Sequence, residues 1–151
     1  MARRRRKWTD GEAELRITPG PGTDPGPGPG KEPDPATPPV RLEIAASYRA
    51  RTRGLLGRTG IEGAMLLTPA TSVHTFRMRF PIDVAHLDRD LRVLAVRTMP
   101  PNRLGLPRLR SRHVLEAEAG SFAAWNLRPG TVLTLAPAPS RPAGPGPRTA
   151  R

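Results

Sequence analysis

At 151 residues with 20 Pro, 15 Gly and no Cys, the chain has the length of one domain, and the missing cysteines exclude disulfides, thiolate zinc sites and cysteine nucleophiles. The formal charge of +12 invites an acidic partner, but residues 40–135 hold 15 Arg, no Lys and 7 acidic residues scattered along the run rather than gathered on one element. No stretch approaches the ~20 apolar residues of a membrane span, and the basic run Arg3 to Lys7 is followed by polar residues instead of a signal-peptide core, so the cytoplasm is the expected location.

Residues 1–39 are expected to be a disordered N-terminal tail and residues 136–151 a disordered C-terminal one, because their Pro/Gly-rich runs lack the apolar side chains that offset ordering entropy. Between them, residues 40–135 are expected to form one small β-rich domain. Val40 to Ala45 alternates Val40, Leu42 and Ile44 against Arg41 and Glu43, the pattern of a half-buried strand. Ser47 is a fitting N-cap for a helix over 48–56, with Tyr48, Leu55 and Leu56 as its apolar stripe and Gly57 ending it. Ala64 to Leu67 is a short apolar strand stopped by Pro69.

The run from Val73 to Leu87 alternates most strongly. His74, Phe76, Met78, Phe80, Ile82, Val84 and His86 would share one face of an extended ribbon, with Thr75, Arg77, Arg79 and Asp83 on the other. Since the alternation keeps its phase through Pro81, a bent but continuous strand is predicted. Asp88 to Asp90 has turn chemistry for a hairpin. Leu91 to Thr98 carries Val93, Leu94, Ala95 and Val96 in succession, which predicts a central strand covered on both faces. A loop over 100–107, a strand over 113–117, a short helix opening at Gly120-Ser121, a turn at 128–130 and a closing strand over 131–135 complete the order. The expected fold class is α+β and β-rich: six short strands in a small antiparallel or mixed curled, barrel-like sheet with two short helices.

Several separated pieces resemble, in order, the family called domain of unknown function 192. Arg53-Gly-Leu-Leu-Gly-Arg58 resembles its arginine-glycine-leucine helix end, and Gly63 to Leu67 its glycine-methionine-leucine strand. His74 to Asp83 corresponds to its central motif, with Phe80-Pro-Ile-Asp83 the most specific part, and Val114 to Gly120 is similar to its valine-leucine-glutamate segment. The resemblance spans about 41–135. It implies a compact β-rich domain and no established activity. Many relatives carry Trp-Met in the central motif where this chain has Phe76-Arg-Met78, and an apolar aromatic near His86.

The candidate site residues follow from the polar side of the ribbon. Arg53, Thr75, Asp83 and Glu116 are the expected ligand-binding set of a small non-catalytic module that takes a small anionic or sugar-like ligand or a protein partner. His74 with Asp83 or Glu116 is the alternative, an acid/base pair of a hydrolase or lyase. Against both stands a structural role, in which Asp83 caps backbone N–H groups at a bend and Glu116 pairs with an arginine such as Arg53 or Arg79. No metal or other cofactor is expected: His74 and His86 would lie roughly 40 Å apart on a straight strand, and paired ligands at metal-binding spacing are missing. A third alternative is nucleic-acid association through the basic run at Arg3 to Lys7.

Overall fold

A computed structural model describes residues 6–18 and 38–139. Its elements, in chain order, are β1 (Gly11–Thr18), β2 (Val40–Ala45), α1 (Tyr48–Arg53), β3 (Ala64–Leu67), β4 (Ile82–Leu87), β5 (Val93–Met99), β6 (His113–Glu118), α2 (Ser121–Ala124) and β7 (Val132–Pro137). The strands form one curled sheet in the order β5-β4-β6-β3-β2-β1-β7. All neighbours are antiparallel except β2 and β3, so the sheet is mixed. The curl brings the two outer strands together at one end, where Val93 N–H donates to the Thr131 carbonyl at 2.8 Å and Leu133 N–H to the Leu91 carbonyl at 3.0 Å. The result is a half-barrel with β5 and β7 touching at one corner through the Arg92–Val132 bridge.

Alternation along the strands divides the apolar side chains between two cores. One holds Leu15, Leu42, Leu66, Ala85, Leu87, Leu115 and Ala117 under Phe122 and Leu127. The other holds Met65, Leu67, Val84, Ile82 and Val114 beneath Leu55 and the segment carrying Val73, Met78 and Phe80. Cross-strand pairing fixes the division: Asp83 faces Ala117, and Val84 faces Glu116. Successive residues point to opposite faces, so Asp83 and Glu116 lie on opposite sides of the sheet.

The structure corrects six expectations. Residues 11–18, expected in a disordered tail, form β1 between β2 and β7, because Ala13, Leu15 and Ile17 alternate with Glu12, Glu14 and Arg16 and bury one face. Ala136 and Pro137, placed in the other tail, pair in β7. The remainder of those tails, residues 1–5, 19–37 and 140–151, lies outside the described residues. The sheet therefore has seven strands rather than six.

The continuous ribbon over 73–87 is broken. Met78 N–H donates to the Thr75 carbonyl at 3.2 Å, closing a turn with Arg77 at φ +60°, and only β4 survives as regular strand. Phe76 is consequently exposed while Ile82 is fully buried. The turn is hidden in the sequence because Met78 and Phe80 are still buried after it, on the same core as Ile82 and Val84. Pro81 sits just before the strand, where its missing N–H costs no ladder bond.

The helix over 48–56 ends early, at Arg53, with Gly54 at φ +44° as its C-cap; Ser47 caps it as expected, accepting from Ala50 N–H at 3.1 Å. Tyr48 is exposed, and the buried Leu55 lies past the helix. Finally, β5 is an outer strand, not a central one: β6 inserts between β4 and β3, and of Val93 to Val96 only Val93 is buried. The hairpin to β4 is present, with Asp88 Oδ1 accepting from the N–H groups of Asp90 at 2.8 Å and Arg92 at 3.0 Å.

Candidate functional site

The proposed ribbon face does not converge, and its members separate into two groups. Asp83, at the start of β4, is 3% exposed and fully engaged. Its Oδ2 accepts from Gly120 N–H at 2.9 Å and Phe122 N–H at 3.0 Å, and its Oδ1 from the Thr98 hydroxyl at 2.7 Å. Gly120 supplies no side chain to cap α2, so Asp83 caps that helix from across the sheet. Thr75 is completely buried. Its hydroxyl donates to the Pro100 carbonyl at 2.7 Å and accepts from Arg103 N–H at 2.8 Å, which fastens the loop over 100–105 to the turn. Both side chains are buried and hydrogen-bonded within the fold, away from any cavity lined by the other candidates.

Glu116, Arg53 and His74 belong to the second group. They line one cavity of about 340 Å³ between the end of α1 and the chain that follows β3, together with Arg51, Leu67 and Met78. Glu116 reaches it from the middle of β6, flanked on its own face by Met65 and Val84. It is 4% exposed, and desolvation in these apolar surroundings pushes its carboxyl up to about 8. Among the described residues it has no hydrogen-bond or ion-pair partner; the expected arginine pair is not formed. The nearby arginine that does pair, Arg58, makes a two-pronged contact with Glu43 at 2.9 and 2.8 Å instead.

Arg51 is a member that no motif or alternation pattern singles out. It projects from α1 two residues before Arg53. One end of its guanidinium donates to the Pro69 carbonyl at 2.9 Å, while its buried Nε–H has no partner. The wall that carries it is held in place by Asp10, whose Oδ1 accepts from the N–H groups of Ala46 at 2.6 Å and Ser47 at 2.8 Å at the start of α1. His74 is at the exposed rim, stacked on Phe76 with ring centroids 5.3 Å apart. His86 is on the same side of the sheet but lines a different cavity, and His113 is buried with its Nδ1 2.7 Å from the Thr68 hydroxyl. Among the described residues no cluster of three or more His, Asp or Glu is arranged to hold a metal ion, and no helix is long and apolar enough to cross a membrane. Of the basic run, only Arg6 and Lys7 are described; Arg6 lies over the Trp8 ring, 4.9 Å from its centroid.

This architecture has solved counterparts. A protein of Sinorhizobium meliloti 1021, provisionally described as a transcription regulator, superposes with a TM-score of 0.66 at 17% identity, covering 85% of this chain and 97% of that one. A protein of unknown function from Novosphingobium aromaticivorans superposes with a TM-score of 0.62 at 20% identity, covering 80% and 83%. At these identities the likeness is one of fold. In sequence, the chain is 32% identical over 84 residues to a UPF0127 protein of Pyrococcus horikoshii, spanning 52% of this chain and 73% of that protein. It is 26% identical over 107 residues to a UPF0127 protein of Thermococcus kodakarensis, spanning 67% and 68%. The model of the family DUF192, described as an uncharacterized ACR, matches residues 32–135, which takes in both walls of the cavity and Glu116 at its floor. The chain therefore belongs to the DUF192 family.

Proposed function

We propose that the cavity beside α1 binds a small polyhydroxylated ligand, with the Glu116 carboxyl and Arg51 Nε–H as its inner hydrogen-bonding partners and Arg53 and His74 at its rim. The observation that carries this reading is a pair of unmet polar groups on two residues that line one cavity: a nearly buried carboxyl and a buried N–H, both without protein partners among the described residues. Each such group left unmatched costs about 1–3 kcal/mol. Two of them in one cavity are matched at once by a ligand that both accepts and donates. With its pKa near 8 the carboxyl is mainly protonated at neutral pH, so it donates through its O–H and accepts through its carbonyl oxygen. Sugar hydroxyls offer the complementary pair. The guanidinium of Arg53 adds a place for an acidic substituent, as on a sugar acid.

Binding is favoured over proton transfer by His74 with Glu116 because His74 stands at the exposed rim, stacked on Phe76, with no hydrogen bond to Glu116 among the described residues, while Asp83 is on the other face of the sheet, held by three hydrogen bonds. The test is calorimetric titration of the full chain with glucose, gluconate and glucuronate at pH 7, beside Glu116→Ala and Arg51→Ala. At least one sugar is expected to bind saturably and at least tenfold more weakly to each variant. Failure of all three to bind, or equal binding to the variants, contradicts the reading. Conversion of a bound sugar, lost in Glu116→Ala, would move the site from binding to catalysis.

A further inference from the structure

We propose that a second cavity, between β4, β5 and the loop over 105–108, holds a small aliphatic carboxylate whose oxygens are bound by His86 Nε2 and the Arg97 and Arg108 guanidinium groups. This inference is independent of the first cavity. The space, about 230 Å³, is lined by Val84, His86, Arg97, Met99, Leu106 and Arg108, together with Ala95, Gly105 and Pro107. His86 is 7% exposed and reaches the cavity from β4, yet its buried Nε2 has no hydrogen-bond partner among the described residues. A buried ring nitrogen in that state is costly unless a ligand completes it.

Register supplies the geometry. His86 pairs with Ala95 and Val84 with Arg97, so His86 and Arg97 stand on the same face as diagonal neighbours. Arg108 comes from the loop opposite, whose path is fixed at both ends. Gly105 N–H donates to the Val73 carbonyl at 2.8 Å, and Arg108 N–H to the Thr71 carbonyl at 2.9 Å. Gly105 is needed there, since a Cβ at that position would stand 2.8 Å from the same Val73 carbonyl oxygen. Two cations and an imidazole converge without a nearby acid in the lining, which selects an anion. The remaining wall, Val84, Met99, Leu106 and Pro107, is apolar and suits a short alkyl chain rather than a bare inorganic ion.

Imidazole nitrogen NMR of the full chain tests this, with sodium butyrate, sodium phosphate and sodium chloride titrated at constant ionic strength. Butyrate is expected to shift the His86 nitrogens saturably and to raise the His86 pKa, while His74 and His113 stay put. The charged groups facing His86 are Arg97 on β5 and Arg108 on the loop; on β6 its partner is the apolar Val114, with Glu116, opposite Val84, as a diagonal neighbour on the same face, so the rise is read against the chloride titration over the same pH range. Arg97→Gln with Arg108→Gln, both on exposed side chains, is expected to weaken butyrate at least tenfold. Glucose should leave the His86 nitrogens unshifted, which separates this site from the sugar cavity. A shift that never saturates, or one equal in the double variant, overturns the site. Phosphate binding more tightly than butyrate overturns the assignment to a carboxylate.

Discussion

The two faces of the sheet each bury a carboxylate within a few residues of a strand pairing, and the two are treated in opposite ways. Asp83 accepts three hydrogen bonds, two from the N-terminus of α2, and is a joint between sheet and helix. Glu116, one pairing away on β6, accepts none among the described residues and opens onto a cavity. Burial alone does not distinguish them, at 3% and 4% exposure. The supply of donors does. A buried acid whose lone pairs are filled by its own fold is structural, whereas one left unfilled keeps that capacity for a ligand.

The contrast can be broken at several points. The largest effect is expected from removing residues 1–18. That deletion takes out β1, leaves β2 and β7 without their shared partner and strips Ala13, Leu15 and Ile17 from the core, so the remaining chain should show no cooperative thermal transition. An unchanged melting temperature would mean that β1 is dispensable. Next, Asp83→Ala should lower unfolding free energy by ~2–4 kcal/mol in urea denaturation, since it strands the buried Phe122 N–H and takes the acceptor from the partly buried Gly120 N–H and Thr98 hydroxyl. A loss below ~1 kcal/mol would remove the joint.

Glu116→Gln should have the reverse sign at alkaline pH. A carboxyl raised from 4.5 to about 8 holds its proton more tightly in the folded state. Its contribution to stability is therefore greatest below pH 4.5 and falls as pH rises to about 8. The total loss is on the order of 5 kcal/mol. The glutamine variant lacks that slope, so its urea midpoint should overtake wild type as pH rises from 5 to 8. His86 and His113, both lowered mainly by burial, add the opposite slope as pH falls below 6.5, but identically in both proteins, so the difference curve isolates Glu116. The smallest effect belongs to Arg58→Ala. Its pair with Glu43 is only partly buried, at 38% and 28% side-chain exposure, so the loss should stay near ~1 kcal/mol and shrink in 0.5 M salt.

Much of the architecture was legible where alternation is local. β2, β3, β6 and β7, the Ser47 cap, the hairpin at Asp88 and the curl of a mixed sheet all follow from short-range pattern. The strand β1 carries the same signal in Ala13, Leu15 and Ile17, but its neighbours from Pro19 onward obscure it. The edge position of β5 was not legible, because four apolar residues in a row cannot say that β6 will insert between β4 and β3. Nor was the turn at Arg77, since burial resumes in phase beyond it. Of the expected ligand set, Arg53 and Glu116 share a cavity, while Thr75 and Asp83 serve the fold. Sorting them required the parity of β4 against β6, a long-range fact that no single segment encodes.

Carboxyl carbon NMR of the unliganded chain, with the Glu116 signal assigned by its loss in Glu116→Gln, tests the central claim most directly. Titration from pH 4 to 9 should show that carbon changing with a midpoint near 8, well above the ordinary 4.5. A midpoint below 5 would mean that the carboxyl is already ionised and paired, and the sugar cavity would lose its innermost hydrogen-bond donor.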